Sequence, residues 1–190
     1  SRVVVARLSA TSASNPVDGT EYTANSVFGS SESQIGSSSN YVVYSGTSNT
    51  ITVTGLVSST AYTFKVYEFN NSGTNTNYLV SDGSTLNPNA TTTLAGEPSV
   101  QAHSFTFTNV GMNSIDVSFT RGDVANTGVL VIARAGSAVA DMPSDGTDYA
   151  ASSVYGSNAV GSGFAVYKGT GSSFTVTNLS DGTQYHFQAF

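Results

Sequence analysis

The feature that most constrains this chain is that it repeats itself. Val4-Val5-Ala6-Arg7 returns as Val131-Ile132-Ala133-Arg134, and Pro16-Val17-Asp18-Gly19-Thr20-Glu21-Tyr22 as Pro143-Ser144-Asp145-Gly146-Thr147-Asp148-Tyr149. Ser26-Val27-Phe28-Gly29-Ser30 matches Ser153-Val154-Tyr155-Gly156-Ser157, and Val43-Tyr44-Ser45-Gly46-Thr47 matches Val166-Tyr167-Lys168-Gly169-Thr170. Thr52-Val53-Thr54-Gly55-Leu56 is matched by Thr175-Val176-Thr177-Asn178-Leu179. A period of about 125 residues is a domain, not a solenoid unit, so the chain carries a tandem duplication.

The period also implies unequal copies. Ser104–Thr108 and Ser114–Thr120 precede the second copy with no counterpart before the first, while the first runs on through Tyr78 to Thr93. The expectation is two domains, 1–95 lacking its first two strands and 96–190 lacking its last, cut from a longer array. A half-domain at 1–95 without two strands would expose core and edge, and would associate or fold poorly unless strands are borrowed. The joint is expected near Thr91 to Gln101, a polar stretch limited by Pro98.

Period-2 alternation dominates each copy. Ile115, Val117 and Phe119 share one strand face, with Asp116, Ser118 and Thr120 on the other. Phe174-Thr175-Val176-Thr177 and Ile51-Thr52-Val53-Thr54 read alike, as half-buried strands. The runs at 3–6 and 129–133 are apolar throughout and predict central strands covered on both faces. Turn signals at Asp18-Gly19, Asp82-Gly83, Asp145-Gly146 and Asp181-Gly182 separate the runs, and no long stretch keeps a helical period. The predicted fold class is all-β, built of antiparallel sandwiches. Ser and Thr supply 55 of 190 residues, a share compatible with disorder, but ten Tyr, ten Phe and 38% apolar content favour a packed β protein.

Leu56 precedes Tyr62 by six residues, and Leu179 precedes Tyr185 identically. That is the spacing of a tyrosine corner, in which the ring packs inward and the hydroxyl bonds backbone across the turn. Tyr62, Phe64 and Val66, like Tyr185, Phe187 and Ala189, are then expected to face the core.

With these corners, Ser114-Ile115-Asp116-Val117-Ser118-Phe119-Thr120 as a second strand, and Val66–Gly73 closing a sixth, the chain resembles tandem fibronectin type III modules, an immunoglobulin-like sandwich. Phe119 stands where that family usually carries Trp. The Pro-x-Asp-Gly-Thr-x-Tyr segment is a long insertion after the third strand. In this it is similar to the divergent modules of large secreted bacterial proteins, often found beside sorting or enzymatic domains. The resemblance implies a non-catalytic spacer or adhesive module with an extracellular or cell-surface location. The implied partners are neighbouring domains of the same chain and a cell-surface protein or polysaccharide. An accessory carbohydrate-binding module on a secreted enzyme is the alternative.

Composition narrows the chemistry. Charged residues are 9% of the chain and the net charge is −6, so nucleic acid is not expected as a partner. No apolar run is long enough for membrane insertion by a helix. Absence of Cys removes disulfides, thiolate nucleophiles and Cys-ligated zinc. His103 and His186 belong to no repeated Ser/Asp arrangement, so neither catalysis nor a cofactor is expected.

Three constellations carry chemistry nonetheless. Asp141, Asp145 and Asp148 place three carboxylates within eight residues, donors that suit Ca²⁺, although the spacing is not that of an EF-hand and Ser14 replaces Asp141 in the first copy. The same residues equally serve Asx turns. Tyr22 and Phe28, with Tyr149 and Tyr155 in the second copy, can stack on sugar rings or pin the insertion to the sandwich. Arg121-Gly122-Asp123 spells an integrin-recognition tripeptide after the second strand, a position where plain turn chemistry also suits it.

Overall fold

The computed structural model describes residues 1–36, 39–81, 85–122 and 128–190; Asp82-Gly83 and Asp123 lie outside them. The chain divides into two compact units, Ser1–Gly96 and Glu97–Phe190. Both are all-β with antiparallel sheets. Helical structure among the described residues is limited to two 3₁₀ turns, Ser31–Ser33 and Gly73–Asn75.

The first unit contains β1 (Arg2–Leu8), β2 (Asn40–Gly46), β3 (Ala61–Asn70), β4 (Asn77–Tyr78) and β5 (Asn89–Thr92). They form one sheet in the order β2-β1-β3-β4, with β5 on the free part of β3. The second unit contains β6 (His103–Thr108), β7 (Ser114–Thr120), β8 (Val129–Ala135), β9 (Ala159–Val160), β10 (Gly163–Gly169), β11 (Ser173–Thr177) and β12 (Tyr185–Ala189). Here there are two sheets, β12-β8-β10-β9 and β11-β7-β6. Val117 and Phe119 of β7 and Val176 of β11 meet Val129, Val131 and Ala133 of β8 in one buried cluster, so the two sheets share a core.

The apolar runs become the central strands. β1 lies between β2 and β3, and β8 between β12 and β10. Because successive side chains alternate, β1 sends Val3 and Val5 into one cluster and Val4 and Ala6 into another. β8 does the same, with Ile132 opposite Val131 and Ala133. In each unit the insertion covers the face that carries Val5 or Ile132, through Tyr22, Ala24 and Ile35 or through Tyr149 and Ala151. A bulge also recurs: register slips opposite Val4/Val5 in the first unit and between Ala165 and Tyr167 in the second.

Three expectations are corrected. Ile51–Thr54 forms no strand; Thr54 makes only an isolated bridge to Val27. Its counterpart β11 pairs along its whole length with β7, and among the described residues no element of the first unit plays the part of β7. Val66 does not join the core and is 38% exposed, for the same reason: among the described residues no counterpart of β6–β7 packs on that end of β3. The opposite face of β3 is sealed instead, with Tyr67 at 1% exposure and its hydroxyl donating to Asn15 Oδ1 at 2.7 Å. Finally, Thr91 and Thr92 are strand and not joint, since β5 pairs Thr92 with Ala61 and Thr91 with Tyr62.

Candidate functional site

The tyrosine corners form as spaced. Tyr62 Oη accepts the Val57 amide at 3.0 Å, and Tyr185 Oη accepts the Ser180 amide at 2.9 Å. The insertion tyrosines make the same closure. Val17 N donates to Tyr22 Oη at 3.2 Å, and Ser144 N donates to Tyr149 Oη at 3.0 Å. All four belong to one heptapeptide, seen as Pro16–Tyr22, Leu56–Tyr62, Pro143–Tyr149 and Leu179–Tyr185, with Thr always two residues before the Tyr. The fourth position is left-handed in every copy, at Gly19, Ser59, Gly146 and Gly182, with φ of 74°, 51°, 72° and 61°. That turn points the second residue's N–H back at the ring hydroxyl. The signal was present in the sequence as two separate motifs, the insertion's and the corner's, whose common spacing passes unremarked when each is read alone.

Phe28 and Tyr155 go to the other face of their sheets. Phe28 meets Tyr41 and Tyr62 edge-on, with centroids 4.9 and 5.0 Å away. Tyr155 meets Phe164 and Tyr185 in the same arrangement, both at 4.9 Å. Each is hooked in place by backbone: Phe28 N donates to Thr54 O at 2.9 Å and Tyr155 N to Thr177 O at 2.9 Å. The Tyr155 hydroxyl further accepts the Ala135 amide at 3.0 Å. Three of the four candidate sugar-stacking rings thus pack within their own unit. Tyr149 differs. Although packed against the Ile132 cluster, it also lines an open cleft of about 520 Å³ with Leu130, Met142, Pro143 and Phe190. Gln101, Asp145 and Lys168 stand around the same cleft.

The acidic trio does not converge. Asp141 Oδ2 accepts both the amide (2.8 Å) and the hydroxyl (2.5 Å) of Ser162. The Ser162 hydroxyl first, then its amide, hold the Asp141 carboxyl below its ordinary range. Asp148 pairs with the Lys168 ammonium, whose hydrogen bond and charge depress it likewise. Among the described residues no three His, Cys, Asp or Glu side chains gather as a metal site would require. Arg121 is tied down, its Nη1 donating to Thr170 O at 2.7 Å; the third residue of its tripeptide lies outside the described residues.

One carboxylate bridges strands. Asp116 accepts Thr175 Oγ1 at 2.6 Å and Asn109 Nδ2 at 2.7 Å, and these bonds, Thr175's foremost, lower its pKa. It links β7 to β11 on the solvent face. Compared with known proteins, the chain matches no family model and no curated sequence.

Proposed function

We propose that the chain is a non-catalytic β-sandwich repeat of the fibronectin type III-like kind. It serves as a spacer or interaction module in a secreted or cell-surface multidomain bacterial protein. The observation that carries this reading is where the distinctive side chains spend their chemistry. Four tyrosine hydroxyls receive backbone amides of their own turns, and two aromatic trios lock the insertions against their sheets. Such groups hold a shape. Neighbouring domains of the same chain and surface partners would then meet loops displayed by a stiff core.

Pulling the chain by its ends tests this. A spacer gives a discrete unfolding step for the second unit, because the β7–β11 and β8–β12 ladders must rupture cooperatively. Continuous extension at low force would overturn the reading.

A second reading, polysaccharide binding, is favoured at one place by the Tyr149 cleft, which joins an aromatic ring to Gln101, Asp145 and Lys168. Binding on a glycan array that is lost in Tyr149→Ala, with the circular dichroism spectrum kept, would support it. Absence of binding in the parent chain would dismiss it.

A further inference from the structure

The start of each insertion is held by the same arginine. Arg7 Nη1 donates to Leu8 O, Ser9 O and Thr11 O at 3.1, 3.0 and 2.5 Å. Arg134 Nη1 donates to Ala138 O at 3.1 Å, and Ala138 matches Thr11 in the repeat. Three residues beyond, the units part: Asp141 stands in the second and Ser14 in the first. Both side chains lie against a left-handed glycine. A Cβ on Gly161 would fall 2.1 Å from Asp141 Cγ, and one on Gly36 would fall 2.3 Å from Ser14 Oγ.

In the second unit that place holds a carboxylate. Asp141 Oδ2 accepts the Ser162 hydroxyl and amide, and besides these bonds the charge of Arg134 favours the ionised form. The first unit pins its loop another way. Asn40, fully buried, accepts the Ser14 amide on Oδ1 at 3.1 Å and donates from Nδ2 to Ser12 O at 3.0 Å. Its equivalent in the second unit is Gly163, which has no side chain for the task.

With the loop fixed by Asn40, the first unit keeps a pocket of about 90 Å³ beside Arg7, with Ser14 on its wall. Lys65 lines it too. It pairs with Val5 in the β1–β3 ladder and so stands diagonal to Arg7 on one face. The repeat carries Gln188 at the position of Lys65. The whole chain has six Lys and Arg residues and a net charge of −6, yet two of those cations meet at this pocket. The carbonyls occupy only Nη1 of Arg7; its Nε and Nη2 bond no described residue, and that edge is the fork a carboxylate accepts side-on. One unit therefore sets an internal carboxylate near its arginine. The other replaces that carboxylate by serine and adds a second cation.

We propose that this pocket binds a small carboxylate anion, seated where the second unit keeps the side chain of Asp141. Arg7 Nε and Nη2 donate to the two carboxylate oxygens, and Lys65 supplies the second positive charge. Val5, Ala13 and Pro88 complete the wall and suit a short apolar stem. The volume takes a few waters or an acid of about acetate size, and excludes a sugar ring. The inference goes beyond the module reading and does not rest on it.

Titration of the full 190-residue chain with sodium acetate at constant ionic strength, followed by NMR, tests it. The expected result is a saturable shift of the Arg7 Nε–H signal and the Ser14 amide. The Arg134 Nε–H signal should stay in place, because Asp141 already supplies the charge there. Ser14→Asp, which provides the carboxylate internally, should abolish the response. Lys65→Gln, which copies the second unit, should weaken acetate binding by at least about tenfold. Absence of a saturable shift overturns the inference, as does an equal shift at Arg134 or full affinity in either variant. Tighter binding of sodium phosphate than of acetate overturns the carboxylate assignment.

Discussion

Ser144 N lies 3.0 Å from Tyr149 Oη, the same closure that Ser180 N makes with Tyr185 Oη at 2.9 Å. One covers the outer face of a sheet and the other the inter-sheet core, yet both clamp a left-handed turn with a phenol. The tyrosine corner in this protein is therefore a general fastener for turns, used at four places.

Removing these hydroxyls should cost in proportion to burial. Tyr62 is 1% exposed and its bond to the Val57 amide is part-buried, so Tyr62→Phe should lower stability by about 1–2 kcal/mol. Tyr149→Phe, whose bond is exposed, should cost less than about 1 kcal/mol. Urea unfolding of each variant measures the difference, and equal costs would contradict the burial argument.

The turns separate side-chain effects from backbone effects. Gly182 has φ of 61° and no neighbouring atom within 4 Å of where a Cβ would stand, so Gly182→Ala introduces left-handed strain alone, about 1 kcal/mol of destabilisation. Ser59, at φ 51°, is the one copy without glycine. Ser59→Gly should stabilise by about 0.5 kcal/mol, strain relief exceeding the added chain entropy. Thermal melts of the pair read both signs.

Core truncations should report the unequal covering of the two units. Val131 is fully buried between two sheets, and Val131→Ala should cost about 2 kcal/mol. Val66→Ala, on the uncovered end of β3, should cost less than about 0.5 kcal/mol. Denaturant midpoints for the two variants make the comparison.

Acid should loosen the second unit through Asp116, although the group is exposed and its share is small. Its folded pKa is lowered from 3.8 by Thr175 and Asn109, so the native state binds the proton less readily than the unfolded chain. The stabilisation is complete above the unfolded value and is lost as pH falls through the folded one. A melt at pH 3 should therefore show a lower midpoint than at pH 5, and Asp116→Asn should narrow that gap.

Much of the fold could be read from one strand's pattern. Ser114–Thr120 alternates cleanly and is β7 residue for residue, and the corner spacing at Leu179 and Tyr185 places β12. The errors share a cause. Ile51–Thr54 and Phe174–Thr177 have nearly the same pattern, but a strand needs a neighbour, and only the second has one. Val66 failed likewise: alternation assigns a face and cannot say whether anything covers it. The recurring aromatics stand out in the sequence, yet the partners of two of them lie far along the chain, Tyr155 against Tyr185 and Phe28 against Tyr62, beyond the reach of local spacing. The carboxylates were near in sequence and parted in space because Ser162 and Lys168 claimed them individually.

The four-stranded sheet of the second unit has unequal margins, five residues at β12 and only two at β9. A strand arriving at β9 finds a ladder only two residues long, too short to template a further strand. In a protein rich in β structure and poor in charge, so short a margin is one guard against chains adding side by side.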